Sequence, residues 1–412
     1  VDIEAPQLVI SGLSLEGGDL ERGQSYDINL ELFNAGRIEI DATHAILTTN
    51  SEEVNIIRSE ADYDPIGIDD DRFASGEGYR IQIHPMMIPG MPVEFTLSLE
   101  TESGFTTSAS LEIPIGAPEN NDPFGPDGYG YICFDSGDEG WPVAPIYECL
   151  EINPEIDDHQ FEGTNLNLSD VGDNQDESAL VDLPFQFQYY GEDFNEITVC
   201  TNGWAAFGDQ SMLAAFRNRH IGQALGPNAQ LSIWWDNLKT VDGSSILTHY
   251  DEQGGRFIIE WSGMRRLTGR SGSGALETFQ IILFDPRVFP TYTEDGIITY
   301  QYKEVENENI PAHNDTPFCT IGISNLDDSE GLEYTYWNQY PRGANEVRNE
   351  MAITFTTASS FISGYIQGRV INAADQDPIP NATITASRGF STLTDENGEY
   401  SMEVLVGEDY EI

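Results

Sequence analysis

Short stretches in which apolar and polar residues alternate recur along most of the chain, and this period of two constrains the fold more than any other feature. Tyr26-Asp27-Ile28-Asn29-Leu30-Glu31-Leu32-Phe33 and Phe95-Thr96-Leu97-Ser98-Leu99 are two such stretches. Arg256-Phe257-Ile258-Ile259-Glu260-Trp261 and Thr278-Phe279-Gln280-Ile281-Ile282-Leu283-Phe284 are two more. Clusters of Gly, Asn, Asp and Pro separate them. Side chains that alternate between faces fit a pleated strand, and regular turn signals between such runs predict antiparallel sandwiches. Only residues 210–225, with Ala214, Ala215 and Phe216, admit one or two helical turns, and Gly222 interrupts them. The chain is expected to be all-β.

Two shifts in composition divide it. Residues 117–128 are poor in apolar side chains and rich in Pro, Gly and Asn, as a linker is. A shorter junction lies at residues 357–363. The expected architecture is three tandem β-sandwich modules: 1–116, then the linker 117–128, then a large sandwich over 129–357 and a small one over 363–412.

Each module carries motifs of its own. In the first, Gly17-Gly18-Asp19-Leu20-Glu21-Arg22-Gly23 makes a turn and Leu30-Glu31-Leu32-Phe33-Asn34-Ala35-Gly36 a strand with its exit. This resembles the immunoglobulin-like modules of bacterial secreted proteins. In the second, Leu183-Pro184-Phe185-Gln186-Phe187-Gln188-Tyr189-Tyr190-Gly191, Thr201-Asn202-Gly203-Trp204 and Ile233-Trp234-Trp235-Asp236-Asn237-Leu238 stand out. Together they resemble a large, jelly-roll-like sandwich of surface-exported bacterial proteins, found downstream of gingipain-type peptidases and similar to the nidogen-like module. That resemblance implies a non-catalytic accessory domain. In the third, Pro378-Ile379-Pro380-Asn381-Ala382-Thr383-Ile384-Thr385-Ala386 and Thr392-Leu393-Thr394-Asp395-Glu396-Asn397-Gly398-Glu399-Tyr400 resemble the carboxypeptidase regulatory-like, transthyretin-like fold. Members of that family continue past the strand that Tyr410-Glu411-Ile412 would begin. The module is therefore expected to be incomplete, to be finished either by more polypeptide or by a strand from another chain.

Charge excludes several partners. Asp and Glu total 71 against 18 Lys and Arg, a formal net charge of −53. Nucleic acid and anionic membrane surfaces both require a basic footprint, so neither is an expected partner. Lys239 and Lys303 are the only lysines. A carboxylate-rich, lysine-poor surface suits a protein working in salt, where screening weakens self-repulsion. No apolar run reaches the length of a membrane span. The chain begins at Val1 without a signal peptide, which fits a processed end or an excised fragment.

Candidate sites are few. Cys133, Cys149, Cys200 and Cys319 lack the CxxC spacing of a zinc site. In an oxidising compartment they form two disulfides, Cys133–Cys149 and Cys200–Cys319 being favoured among three connectivities; four buried thiols are the alternative. Asn167, Asn314 and Asn381 open formal glycosylation sequons, of the kind chance supplies in a chain rich in Asn, Ser and Thr. Asp170, Asp173, Asn174 and Asp176 gather oxygen ligands in one turn-rich stretch, a candidate calcium loop that is not an EF-hand. Trp204, Trp234, Trp235, Trp261 and Trp337 offer a carbohydrate platform if any ring is exposed. Trp234 and Trp235, being adjacent, should face opposite sides. Gly269-Arg270-Ser271-Gly272-Ser273-Gly274 is a loop, not a nucleophile elbow, and the six histidines form no motif.

The expectation is a secreted, cell-surface protein without enzyme activity, structural or adhesive, whose self-association by strand complementation builds a fibre. The alternatives are the accessory region of a larger secreted peptidase, whose neighbouring domains would be its partners, and a lectin-like module.

Overall fold

Every regular element among the described residues of the computed structural model is a β-strand. The structure describes residues 7–15, 18–51, 53–138, 140–141, 143–172, 175–223, 226–266, 276–307, 318–357, 363–386 and 391–405. Two compact units result: Val1–Pro118 with Ile362–Ile412, and Glu119–Phe361.

In residues 1–118 of the first unit the strands are β1 (Leu8–Leu15), β2 (Ser25–Asn34), β3 (Thr43–Thr49), β4 (Val54–Arg58), β5 (Glu60–Tyr63), β6 (Asp71–Phe73), β7 (Tyr79–Ile83), β8 (Pro92–Thr101) and β9 (Thr106–Pro114). They form a sheet ordered β1-β2-β7-β4, with β6 also on β2, and a second sheet ordered β5-β3-β8-β9. Alternation decides which face is buried: Ile28, Leu30 and Leu32 of β2 meet Phe95, Leu97 and Leu99 of β8 in one core. Asn34 ends β2 and is fully buried. Its side-chain amide donates to the Ile38 carbonyl at 2.8 Å and its Oδ1 accepts from Gly36 N at 3.0 Å. A short polar side chain is thus required there to satisfy a turn that no strand covers.

The second unit contains β10 (Ile132–Asp135), β11 (Thr164–Asn165), β12 (Ser178–Tyr189), β13 (Glu192–Cys200), β14 (Trp204–Phe207), β15 (Gln230–Trp235), β16 (Leu238–Lys239), β17 (Ser245–Asp251), β18 (Arg256–Arg266), β19 (Leu276–Phe284), β20 (Ile298–Glu304), β21 (Thr320–Ser324), β22 (Gly331–Tyr336) and β23 (Met351–Thr356). The eight-stranded sheet runs β10-β23-β20-β19-β18-β17-β11, with β16 on β18; the six-stranded sheet runs β12-β13-β14-β15-β21-β22. Phe257, Ile259 and Trp261 of β18 and Phe279, Ile281 and Leu283 of β19 face Phe187, Val199, Phe207 and Ile321 across one core. Polar tips of core aromatics tie the layers together. Tyr300 and Tyr302 of β20 donate to the carbonyls of Gly322 (3.0 Å) and Ile233 (2.9 Å), and Trp261 Nε1 donates to that of Cys200 (2.8 Å). Gly203, in the turn between β13 and β14, has φ +70, and a Cβ there would lie 2.1 Å from the Trp234 carbonyl oxygen, so the turn admits only glycine.

The outer faces are covered as well, which explains why the alternation in β18 and β19 is broken by apolar residues on both faces. Leu150 and Ile152 pack on Leu247, Ile258 and Ile282 outside the eight-stranded sheet. Ala214 and Ala215 pack on Cys200, Trp204, Ala206 and Trp235 outside the six-stranded one. The segment expected to be helical is turn and coil throughout its described residues. The Ala215 carbonyl accepts from both Trp204 Nε1 and Trp235 Nε1, each at 2.9 Å, so two indoles rather than a helical N–H hold that backbone.

Residues 119–128 of the stretch read as a linker, all but its first two, lie within this second unit, which begins at Glu119. Asp127 Oδ1 accepts from the backbone N–H groups of Tyr129, Gly130 and Tyr131, and Phe124 bridges to Cys133. In the remaining segment β24 (Ser363–Arg369) pairs with β27 (Glu399–Leu405), and β25 (Thr383–Thr385) with β26 (Ser391–Leu393). The expected Asp395–Gly398 turn is present, with Asp395 Oδ1 accepting from Asn397 N and Glu399 N at 2.8 Å each.

Candidate functional site

Residues 147–153 cross the outer face of the eight-stranded sheet as a strap. Beneath them Glu260 of β18, Gln280 of β19 and Gln301 of β20 are cross-strand neighbours, forming one transverse row of polar side chains. Gln301 Oε1 accepts from Glu148 N at 3.1 Å. Gln280 takes both backbone groups of Leu150, accepting from its N–H at 3.2 Å and donating to its carbonyl at 2.7 Å. Glu260 Oε2 accepts from Ile152 N at 3.4 Å. Alternate strap residues are therefore bound as a neighbouring strand would bind them, with side chains replacing the partner backbone.

The row also holds unusual charge. Burial, with the Glu151 carboxylate beside it, pushes the Glu260 carboxyl up to about 8. Burial acts on Glu151 in the same direction, but the Lys303 ammonium and the Asn153 N–H hold it below its ordinary value. Burial thus favours the protonated form of Glu260, while the lysine beside it favours the ionised form of Glu151. Next to the strap is a groove of 280 Å³ lined by Val143, Ile146, Ile282, Phe284, Phe289 and Thr354. Ile146 at its rim is 85% exposed.

The second lysine occupies the expected calcium loop. Lys239 Nζ lies 2.7 Å from Asp170 Oδ1 and 3.5 Å from Asp176 Oδ1, so an ammonium stands where the spacing placed a metal ion. Asp170 is fully buried, and burial raises its carboxyl to about 6 against the pull of Lys239. Asp173 and Asn174 lie outside the described residues. Among the described residues no three His, Cys, Asp or Glu side chains are grouped to hold a metal.

The expected disulfides are replaced by four free thiols. The sheets separate the proposed partners. Cys133 and Cys319 face the central core, whereas Cys200 faces outward among Trp204 and Trp235. Cys149 sits on the strap, near Tyr147, Glu260 and Lys303, on the far side of the sheet from Cys133. Trp234 and Trp235 do face opposite sides, but Trp204, Trp234, Trp235 and Trp261 are all at most 1% exposed, and only Trp337 (49%) presents a ring to solvent. Asn167 and Asn381 are exposed; Asn314 lies outside the described residues.

The described residues offer histidine–carboxylate pairs. His44–Asp62, His159–Glu162 and His220–Glu333 are each a histidine and a carboxylate at 2.8–3.0 Å on the surface. What the arrangement does is bind extended backbone and bury charge. Its residues had a signal in the sequence: Glu260, Gln280 and Gln301 are polar positions inside apolar strands, and Lys239 and Lys303 are the only lysines.

A family model described as NIDO related matches residues 157–362. No curated protein matches the chain. Among solved structures, a conjugative transposon lipoprotein from Bacteroides eggerthii DSM 20697 is similar at 14% identity over 26% of this chain and 95% of its own, with a TM-score of 0.16. The family match takes in the whole six-stranded sheet and all of the eight-stranded sheet except β10. It spans half of the 412 residues, and the chain belongs to the NIDO-related family.

Proposed function

We propose that the chain is a non-catalytic structural or adhesive protein of the cell exterior, whose sandwich units join by strand pairing into a surface fibre. The observation that carries this reading is β9, the edge of its sheet. It runs nine residues, from Thr106 to Pro114, with no lysine or arginine and with proline only at its last position. Edge strands of proteins that stay apart are guarded by lysine, proline or bulges, and β9 carries little of this guarding. By contrast β12, the edge of the six-stranded sheet, has Pro184 in its middle and an irregular register from Asp182 to Phe187. The acidic surface supports a salty, extracellular setting.

The test is an edge lysine. Ser110→Lys, at an exposed β9 position, is expected to abolish self-association seen by size-exclusion chromatography and filaments seen by microscopy, with the melting temperature unchanged. Filaments that persist in the variant would remove β9 from the proposal. A wild-type chain that is monomeric under all conditions would remove the fibre.

A further inference from the structure

We infer that Lys239 and Asp170 are the two halves of an intramolecular amide cross-link, with Asp176 as the proton-transfer group. In a chain that uses lysine twice, one lysine is buried (8% exposed) against a carboxylate that is fully buried. Lys239 Nζ lies 2.7 Å from Asp170 Oδ1, which places the amine within reach of the carboxyl carbon. Reacting atoms held about 3–3.5 Å apart gain most of what orientation gives an intramolecular reaction.

Five further contacts set the pair as reactants. The Asp170 N–H donates to Thr240 Oγ1 at 2.8 Å, and the Thr240 N–H donates to the Asp170 carbonyl at 2.8 Å, so the residue after Lys239 is clamped to Asp170 itself. The Thr201 hydroxyl donates to Asp170 Oδ2 at 3.3 Å, on the oxygen that gains charge during attack. Asp176 Oδ1 stands 3.5 Å from Nζ and is oriented by Asn202 Nδ2 at 2.9 Å.

The step balances without an oxidant or co-reactant. Asp176 takes a proton from the ammonium, and the neutral amine attacks Cγ of Asp170. The Nζ–Cγ bond forms and one Cγ–O bond breaks. Two of the three ammonium protons leave with that oxygen as water, and Asp176 ends as the carboxylate it began as. One positive and one negative charge disappear together, so a buried ion pair becomes a neutral amide, which removes the cost of keeping two charges out of water. The bond would join β16, on the eight-stranded sheet, to the segment leading into β12 of the six-stranded sheet. It would staple the two layers of the unit independently of any fibre.

Intact mass spectrometry of the full, reduced chain decides the matter. The expected mass is lower than the sequence mass by one water, about 18 Da, and peptide mapping should recover the Asp170 and Lys239 peptides as one branched species. Lys239→Arg should restore the sequence mass. Asp176→Asn, which keeps Lys239 and Asp170, should also restore it while the circular dichroism stays native. A folded wild-type chain at its sequence mass overturns the proposal, as does a water loss that survives Lys239→Arg. Cross-linking that survives Asp176→Asn overturns the role given to Asp176.

Discussion

At the scale of single residues, buried ionisable groups set how the second unit responds to conditions. Burial raises the Glu277 carboxyl from 4.5 to about 8. Between those values the unfolded chain has already released this proton and the folded one has not. Stability from this group is therefore complete below pH 4.5 and is lost as pH rises toward 8. Thermal unfolding in high salt, where surface repulsion is screened, should show the melting temperature falling across this window. Glu277→Gln should flatten the slope and be the more stable protein above pH 8; parallel profiles for the two would contradict the assignment. The thiols give a second check. Burial raises all four, Cys149 to about 12 and Cys200 to about 11. Thiolate is the reactive form, so native protein should resist alkylation at neutral pH and yield four thiols in denaturant.

At the scale of elements, the periodicity in the sequence located the strands because one buried face imposes a period of two. It did not reveal what covers the outer faces. The strap and residues 210–218 have no regular pattern, since side chains from the sheet rather than a strand partner satisfy their backbone. The helical expectation failed for the same reason: small residues such as Ala214 and Ala215 are needed to fit beneath two indoles, and they resemble helix formers. The stretch read as a linker stood out by composition, yet residues 119–128 of it belong to the second unit. Asp, Asn and Gly supply turn caps inside a packed unit as readily as they supply flexibility outside one. The strap yields a direct test. Gln280→Leu leaves both backbone groups of Leu150 without a partner. Each unsatisfied buried group costs about 1–3 kcal/mol, so the loss should be roughly 2–6 kcal/mol in chemical denaturation. A change below about 0.5 kcal/mol, the range of an ordinary surface substitution, would show that the row does not hold the strap.

At the scale of the whole molecule, the net charge of −53 sets the terms of any assembly. The charge could be read from composition, but where the cations sit could not. Lys239 and Lys303 were visible as the only lysines, yet only the fold puts each beside a buried carboxylate, at Asp170 and Glu151. With both lysines committed to such pairs, the surface has few cations to offset its carboxylates, so copies repel unless salt screens them. Backbone pairing at β9 is short-ranged and needs that screening before it can act. Sedimentation velocity on the wild-type chain, run from low ionic strength to molar sodium chloride, tests the proposed strand-paired assembly most directly. Strand pairing at β9 should give a monomer at low salt that associates into larger species as salt rises, and reverses on dilution. A single monomeric species across the whole range would contradict it.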